Sequence, residues 1–349
     1  MMRVLAADVG GTKTALCLYT GSDPASLVID HRHEYDSKSF SGLVPILGEF
    51  LRGQSVDCAG FGVAGPVIDG ICHTTNLPWL VDVRDLAHIC ATPHVALLND
   101  LEIAVLGVPL VGAEQMVWLQ QVPLLPTAPI ELVAVGTGLG RAFIIPSVER
   151  DGTPGVLRAF ATESGHASFG PRNAIERRLL AFVAERHEVV CVEHVLSGPG
   201  LRTLYEFIIH EGLAPPTAQL EIERADDASA VIGRLGARDL DDGCSAAVAL
   251  FADLLGSELG NTALRSLPRG GLYIWGGVAR KLRSVIERGE LLDAFLDKHR
   301  MRDVLQTIPV ALIDEPELGL LGARQAGLLA LSAAGASSGT ATADPVGEG

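Results

Sequence analysis

The apolar run HVALLND at 94–100 delivers Asn99 and Asp100 to the end of a strand, immediately before the helical pattern LEIAVLGV. Ligands of α/β sheets collect at that edge. A carboxylate there can accept the proton of an attacking hydroxyl, as the base of phosphoryl transfer does. Asn and Asp are also frequent helix caps, and that reading stands beside the catalytic one. ATESGHASFGPRN at 161–173 sets Glu163 and His166 on either side of a glycine, in a polar loop of the kind that often carries ligand contacts. Glu193 lies within the apolar run VVCVEHVL, where an unpaired carboxylate is costly to bury, so it needs a partner or a surface position. His194 reads as solvated or as hydrogen-bonded in the core.

Two glycine turns, LAADVGGTKTALCLY at 5–19 and VAVGTGLGRAFII at 133–145, each read as strand, turn, strand. Backbone N–H groups can surround a phosphate where no side chain keeps it away, which Gly10, Gly11, Gly136, Gly138 and Gly140 provide. The pair suggests one polyphosphate held from two sides; two ordinary hairpin turns are the alternative. GxxxxGK(S/T) is absent, because Lys13 follows Thr12 rather than glycine, which argues against a P-loop. Asp30 falls about 20 residues after the first turn, where a dinucleotide fold places its ribose-binding acid. That turn lacks GxGxxG, however, and TALCLYT looks like a strand. GLYIWGGVARKL at 271–282 repeats the theme, and Gly276 with Gly277 suits either a flat ring such as adenine or tight helix packing.

The elements that must position these residues form an α/β pattern. Strand-like runs at 3–8, 14–19, 26–30, 57–63 and 94–98 alternate with helical stretches near 41–52 and 84–90. The proline-rich QVPLLPTAPIE at 121–131 leads into the second glycine turn, so a second lobe starts between 105 and 131. It carries helices near 173–186, 200–211, 245–267 and 281–299, with Ser197 a cap and Pro199 in the first turn of the second. Strand IPVALI at 308–313 and helix 317–333 close the fold. Residues 334–349 lack apolar periodicity and read as a disordered tail. The lobes divide as 1–110 plus 314–333 (small) and 111–313 (large).

At 349 residues and 48% hydrophobic content the chain can bury a sizeable core. A net charge of −15 argues against a nucleic-acid or anionic-membrane surface, and requires backbone N–H groups and Lys13 to offset the acidic field around any nucleotide. No signal-peptide pattern is present, which predicts a cytoplasmic protein. The six cysteines show no CxxC and no metal spacing, so reduced thiols are expected.

Taken in order, DVGGTKT, GVAGPV, TNLPW, LLND, VGTGLG, ESGH, VEHVLSGPGL, WGGVA and GLLGA resemble the motif series of bacterial ATP-dependent glucokinases, in the actin/hexokinase superfamily. The resemblance implies two ribonuclease-H-like α/β lobes around a central cleft that closes on sugar and nucleotide. It implies transfer of the ATP γ-phosphate to the 6-hydroxyl of glucose, with Asp100 as base and Asn99, Glu163, His166 and Glu193 as sugar ligands. It further implies Val9, Gly10, Gly11 and Thr12 at the phosphates, Gly136, Thr137 and Gly138 on the other side, and Gly276 and Gly277 at the nucleotide. Asp8 would sit near Mg²⁺ through water. ASFGPRN, where zinc-containing relatives carry cysteines, points to the zinc-free branch, and a homodimer is common among similar proteins. Arg141 and Ser164 depart from the family pattern, which usually has a small or apolar residue and a glycine there. Two other readings remain: a kinase for another hexose such as mannose or glucosamine, and a sugar-sensing regulator on the same fold. Such regulators carry an N-terminal DNA-binding helix pair, whereas strand RVLAAD starts here at Arg3.

Overall fold

The computed structural model describes residues 1–148 and 154–338. The chain divides into two units, Met1–Val111 with Glu317–Gly349, and Gly112–Pro316. In the first, Met2–Val9 (β1) and Lys13–Gly21 (β2) pair antiparallel with Val9 opposite Thr14. DVGGTKT is therefore a hairpin turn and TALCLYT its returning strand. The glycine-opened helix of a dinucleotide fold is absent from this position, and Asp30 lies exposed on the third strand, Val28–Asp36 (β3). Cys58–Val63 (β4) runs parallel to β1, whose Val4, Leu5, Ala6 and Ala7 are fully buried, as expected of a strand covered on both faces. After a small sheet of Val67–Ile68 (β5), Ile71–His73 (β6) and Leu80–Asp82 (β7), Val95–Asn99 (β8) completes the order β3-β2-β1-β4-β8.

Leu43–Leu51 (α1) buries Leu43, Ile46, Leu47, Phe50 and Leu51, Val83–Cys90 (α2) is capped by Asp82, and Asp100–Gly107 (α3) follows β8 directly. The C-terminal helix, Leu318–Ser338, approaches so closely that a Cβ on Gly322 would stand 1.7 Å from the Ile103 carbonyl oxygen. This contact explains the second glycine in GLLGA. Residues 334–338 continue that helix rather than beginning a tail; the remainder of the expected tail, 339–349, lies outside the described residues.

The second unit repeats the plan. Its strands are Met116–Gln120 (β9), Ile130–Val135 (β10), Leu139–Val148 (β11), Pro154–Thr162 (β12), Leu272–Trp275 (β13) and Val310–Ile313 (β14), in the order β12-β11-β10-β13-β14-β9. A central strand takes an antiparallel pair on one side and parallel strands on the other, so β3-β2-β1-β4-β8 recurs as β12-β11-β10-β13-β14. Each glycine turn joins the same two positions of this ribonuclease-H-like sheet.

Its main helices are Ala174–Ala184 (α4), Gly198–His210 (α5), Gln219–Arg224 (α6), Ala228–Ala237 (α7) and Asp242–Ser266 (α8). Ser197 caps α5 through the Gly200 N–H, with Pro199 in its first turn. α8 is long and apolar enough to cross a membrane by length and composition, yet Phe251, Leu255 and Leu259 on it are fully buried in this unit's core. Residues 281–299 do not form the single expected helix. Arg283–Ile286 and Glu290–Leu296 are separated at Gly289, whose φ of +108° is a left-handed conformation that a continuous helix cannot contain. All six cysteines are buried and unpaired.

Candidate active site

Sheet register gathers the first unit's polar residues at one edge. Val9 is level with Val63, and Val63 with Asn99, so Asp8, the first glycine turn and the Asn99–Asp100 pair all occur where β1 and β8 end, two strands and about 10 Å apart. Asn99 is the cap of α3: its Oδ1 accepts the Leu101 N–H at 2.9 Å, while Glu102 Oε2 accepts the Asn99 N–H at 3.1 Å. Its Nδ2 donates to the Gly65 carbonyl at 3.2 Å. The capping reading thus holds for Asn99, and the cap fixes Asp100 as the first helical residue, half-buried, with Oδ1 accepting the Leu101 N–H at 2.9 Å.

Burial, and then the neighbouring Asp100 carboxylate, push the Asp8 carboxyl up to about 6. Asp8 rests against the C-terminal helix, where a Cβ on Gly319 would come within 2.6 Å of Oδ2. In the turn itself, the Gly10 N–H donates to the Lys13 carbonyl at 2.9 Å, and Gly11 packs on Asn76 of the TNLPW loop, 2.6 Å from the position of a Cβ. Lys13 Nζ pairs with Glu34 at 2.6 Å, both side chains exposed. Asn76 and the buried Ser37, which also contacts this turn, carried no signal that assigned them to the site.

In the second unit the glycine turn is tied to three other segments. The Gly198 N–H, at the start of α5, donates to the Gly136 carbonyl at 2.8 Å. Glu193 Oε2 accepts the Leu139 N–H at 2.8 Å, which supplies the partner its apolar surroundings require. Gly165 lies on the Leu139 carbonyl, 2.1 Å from where a Cβ would be. Residues 167–169 meet 190–192 through the bonds Phe169 N–H to Val190 O and Val192 N–H to Ala167 O, each 2.9 Å. Glu163, His166 and Glu193 are thereby brought to one neighbourhood, with Glu163 and His166 exposed beside the short turn Ser164–His166. His194 is half-buried: its Nδ1 accepts the Cys191 N–H at 3.3 Å and its ring stacks on His187.

A cavity of about 1020 Å³ opens beside this turn, lined by Gly136, Thr137, Gly198, Pro199, Gly277 and Lys281 among others. Close packing accounts for the first residue of the double glycine. Gly276, at φ +114°, packs on β10, 2.4 Å from the Val135 carbonyl oxygen at its Cβ position, whereas Gly277 has open space there. Of the departures, Arg141 is buried and pairs with Glu131, which also accepts from Ser266, so it braces the sheet. The Ser164 hydroxyl bonds Thr162 Oγ1 at 3.0 Å.

Duplicated ribonuclease-H-like sheets, each with a glycine turn between its central strand and the antiparallel strand beside it, and a carboxylate at a strand end define an ATP-dependent sugar kinase of the actin/hexokinase class. The glucokinase family model matches residues 5–329, and the chain belongs to that family. A glucokinase of Nostoc sp. (strain PCC 7120) is 36% identical over 341 residues, covering 93% of this chain and 98% of that protein. Among solved structures, glucokinase from an Antarctic psychrotroph superposes with a TM-score of 0.79 at 26% identity, over 93% of this chain and 98% of that one. A glucokinase of the ROK family from Streptomyces griseus, in complex with glucose and AMPPNP, shares the fold at 20% identity and a TM-score of 0.61, over 93% and 99% of the two chains.

Proposed function

We propose that this glucokinase phosphorylates the 6-hydroxyl of glucose with Asp100 as general base. The observation that carries the assignment is the shared sheet edge in the first unit, where Asp100 stands at the end of β8 and the phosphate-type turn follows β1. Asp100 accepts the proton of the 6-hydroxyl, the oxygen attacks the γ-phosphorus, and the bond to the β–γ bridging oxygen breaks to release ADP and glucose 6-phosphate. Asn99, Glu163, His166 and Glu193 hold ring hydroxyls with fixed donors and acceptors.

Val9 to Thr12 and Gly136 to Gly138 meet the phosphates through neutral N–H groups, which leaves nucleotide charge for a metal to offset. The first unit fits Mg²⁺: Asp8 is a carboxylate raised by burial and by a second carboxylate, an arrangement that a divalent cation relieves. Bound there through water, Mg²⁺ would neutralise charge on the transferring phosphoryl group. Gly277 and the cavity around it accommodate the nucleoside. Six buried unpaired thiols suit a reducing compartment, the cytoplasm, and we place the chain there as a homodimer. ATP consumption measured against glucose, mannose and glucosamine, with Mg²⁺ and with excess chelator, tests this reading. Glucose should be preferred and chelator should abolish the rate; equal rates without metal would overturn the Mg²⁺ assignment.

A further inference from the structure

Ser37 is fully buried, and its hydroxyl and N–H are both committed to the first glycine turn. Its Oγ–H donates to the Gly10 carbonyl at 2.9 Å, and its N–H donates to the Thr12 carbonyl at 2.9 Å. With that hydroxyl proton used, Thr14 Oγ1–H donates to Ser37 Oγ, also at 2.9 Å. Ser37 comes from a separate element, the short turn Ser37–Ser39 that leaves β3 with Asp36 as its cap. It therefore grips both ends of GGT from outside the hairpin.

In a trans peptide the C=O and N–H of one unit point in opposite directions. Pinning the Gly10 carbonyl towards Ser37 aims the Gly11 N–H the other way, away from the buried hydroxyl. Glycine backbone would otherwise be free to swing, because no Cβ restricts it. We propose that Ser37 is a positioning residue for ATP, holding the Gly11 N–H in the direction that meets a phosphate oxygen. The proposal rests on the reading of DVGGT as a phosphate turn.

Ser37→Ala should raise the KM for ATP roughly 5- to 10-fold, the effect of about one lost hydrogen bond, with the KM for glucose changed less than about twofold. Ser37→Thr, which restores the hydroxyl, should recover most of the ATP affinity. Thr14→Val, which keeps the bond from Ser37 to Gly10, should stay within about twofold of wild type. Should Ser37→Ala fail to fold, Ser37→Cys keeps the volume with a weak donor and should give an intermediate KM for ATP. A parallel rise in both KM values, or a lowered Tm with neither KM changed, would make Ser37 a structural residue and overturn the proposal. Gly11→Val separates it from its premise. An unchanged KM for ATP in that variant would reject the phosphate turn itself, whereas a raised one alongside an unaffected Ser37→Ala protein would reject only the role of Ser37.

Discussion

The Glu193 carboxylate accepts the Leu139 N–H at 2.8 Å and lies 2.5 Å from the position a Cβ on Gly138 would take. A residue assigned to the sugar thus also braces the second glycine turn, and its two tasks separate by substitution. Glu193→Gln retains an oxygen that can accept from Leu139, so it should weaken glucose binding by roughly tenfold or more while ATP binding changes little. Glu193→Ala removes the brace as well and should weaken both. Titration of each ligand by calorimetry checks this; equal losses in Glu193→Gln, or none for glucose, would leave Glu193 as a strut only.

Arg141 sits in a buried ion pair, and removal of one partner strands the other. Arg141→Leu should cost about 3–5 kcal/mol of stability by leaving Glu131 uncompensated. Its KM for ATP should remain that of the wild type, since the side chain turns to Glu131 within the sheet. Urea denaturation with steady-state kinetics on the same preparation decides it, and a raised KM for ATP at unchanged stability would place Arg141 at the nucleotide.

His194 gives a pH dependence. Loss of hydration, then the charge of His187, lowers its pKa from 6.5; Glu193 opposes this and His166 adds to it. The unfolded chain therefore takes up a proton at a higher pH than the folded one. The contribution of this group to stability is complete above about 6.5 and is lost as pH falls towards the folded value. His194→Gln, which can still accept from the Cys191 N–H, should flatten the fall in urea midpoint between about pH 7 and 5. An identical slope in the variant would show that His194 does not contribute.

What the sequence made legible was local. The strand–turn–strand reading of DVGGTKT, the strand end at Asn99 and the Ser197 cap all follow from periodicity and residue type within one element. The contact of Ser37 with Gly10 spans 27 residues and that of Glu193 with Leu139 spans 54, and both depend on sheet register, which no local spacing encodes. α7 carries a weak helical signal because Gly233 and Gly236 lower its propensity. Gly236 is there because a Cβ would stand 2.4 Å from the Cys244 carbonyl oxygen on α8. The break at Gly289 was present in the sequence as a glycine, but apolar spacing on both sides masked it.

The most direct test of the proposed chemistry is the turnover of Asp100→Asn, measured as glucose 6-phosphate formed at saturating ATP, Mg²⁺ and glucose. The cap from Asn99 to the Leu101 N–H should survive the change, so the protein should fold and bind glucose. Its kcat should fall about 10²- to 10⁴-fold, the contribution of a positioned base. A folded Asp100→Asn protein with near wild-type turnover would contradict the assignment of Asp100 as the base.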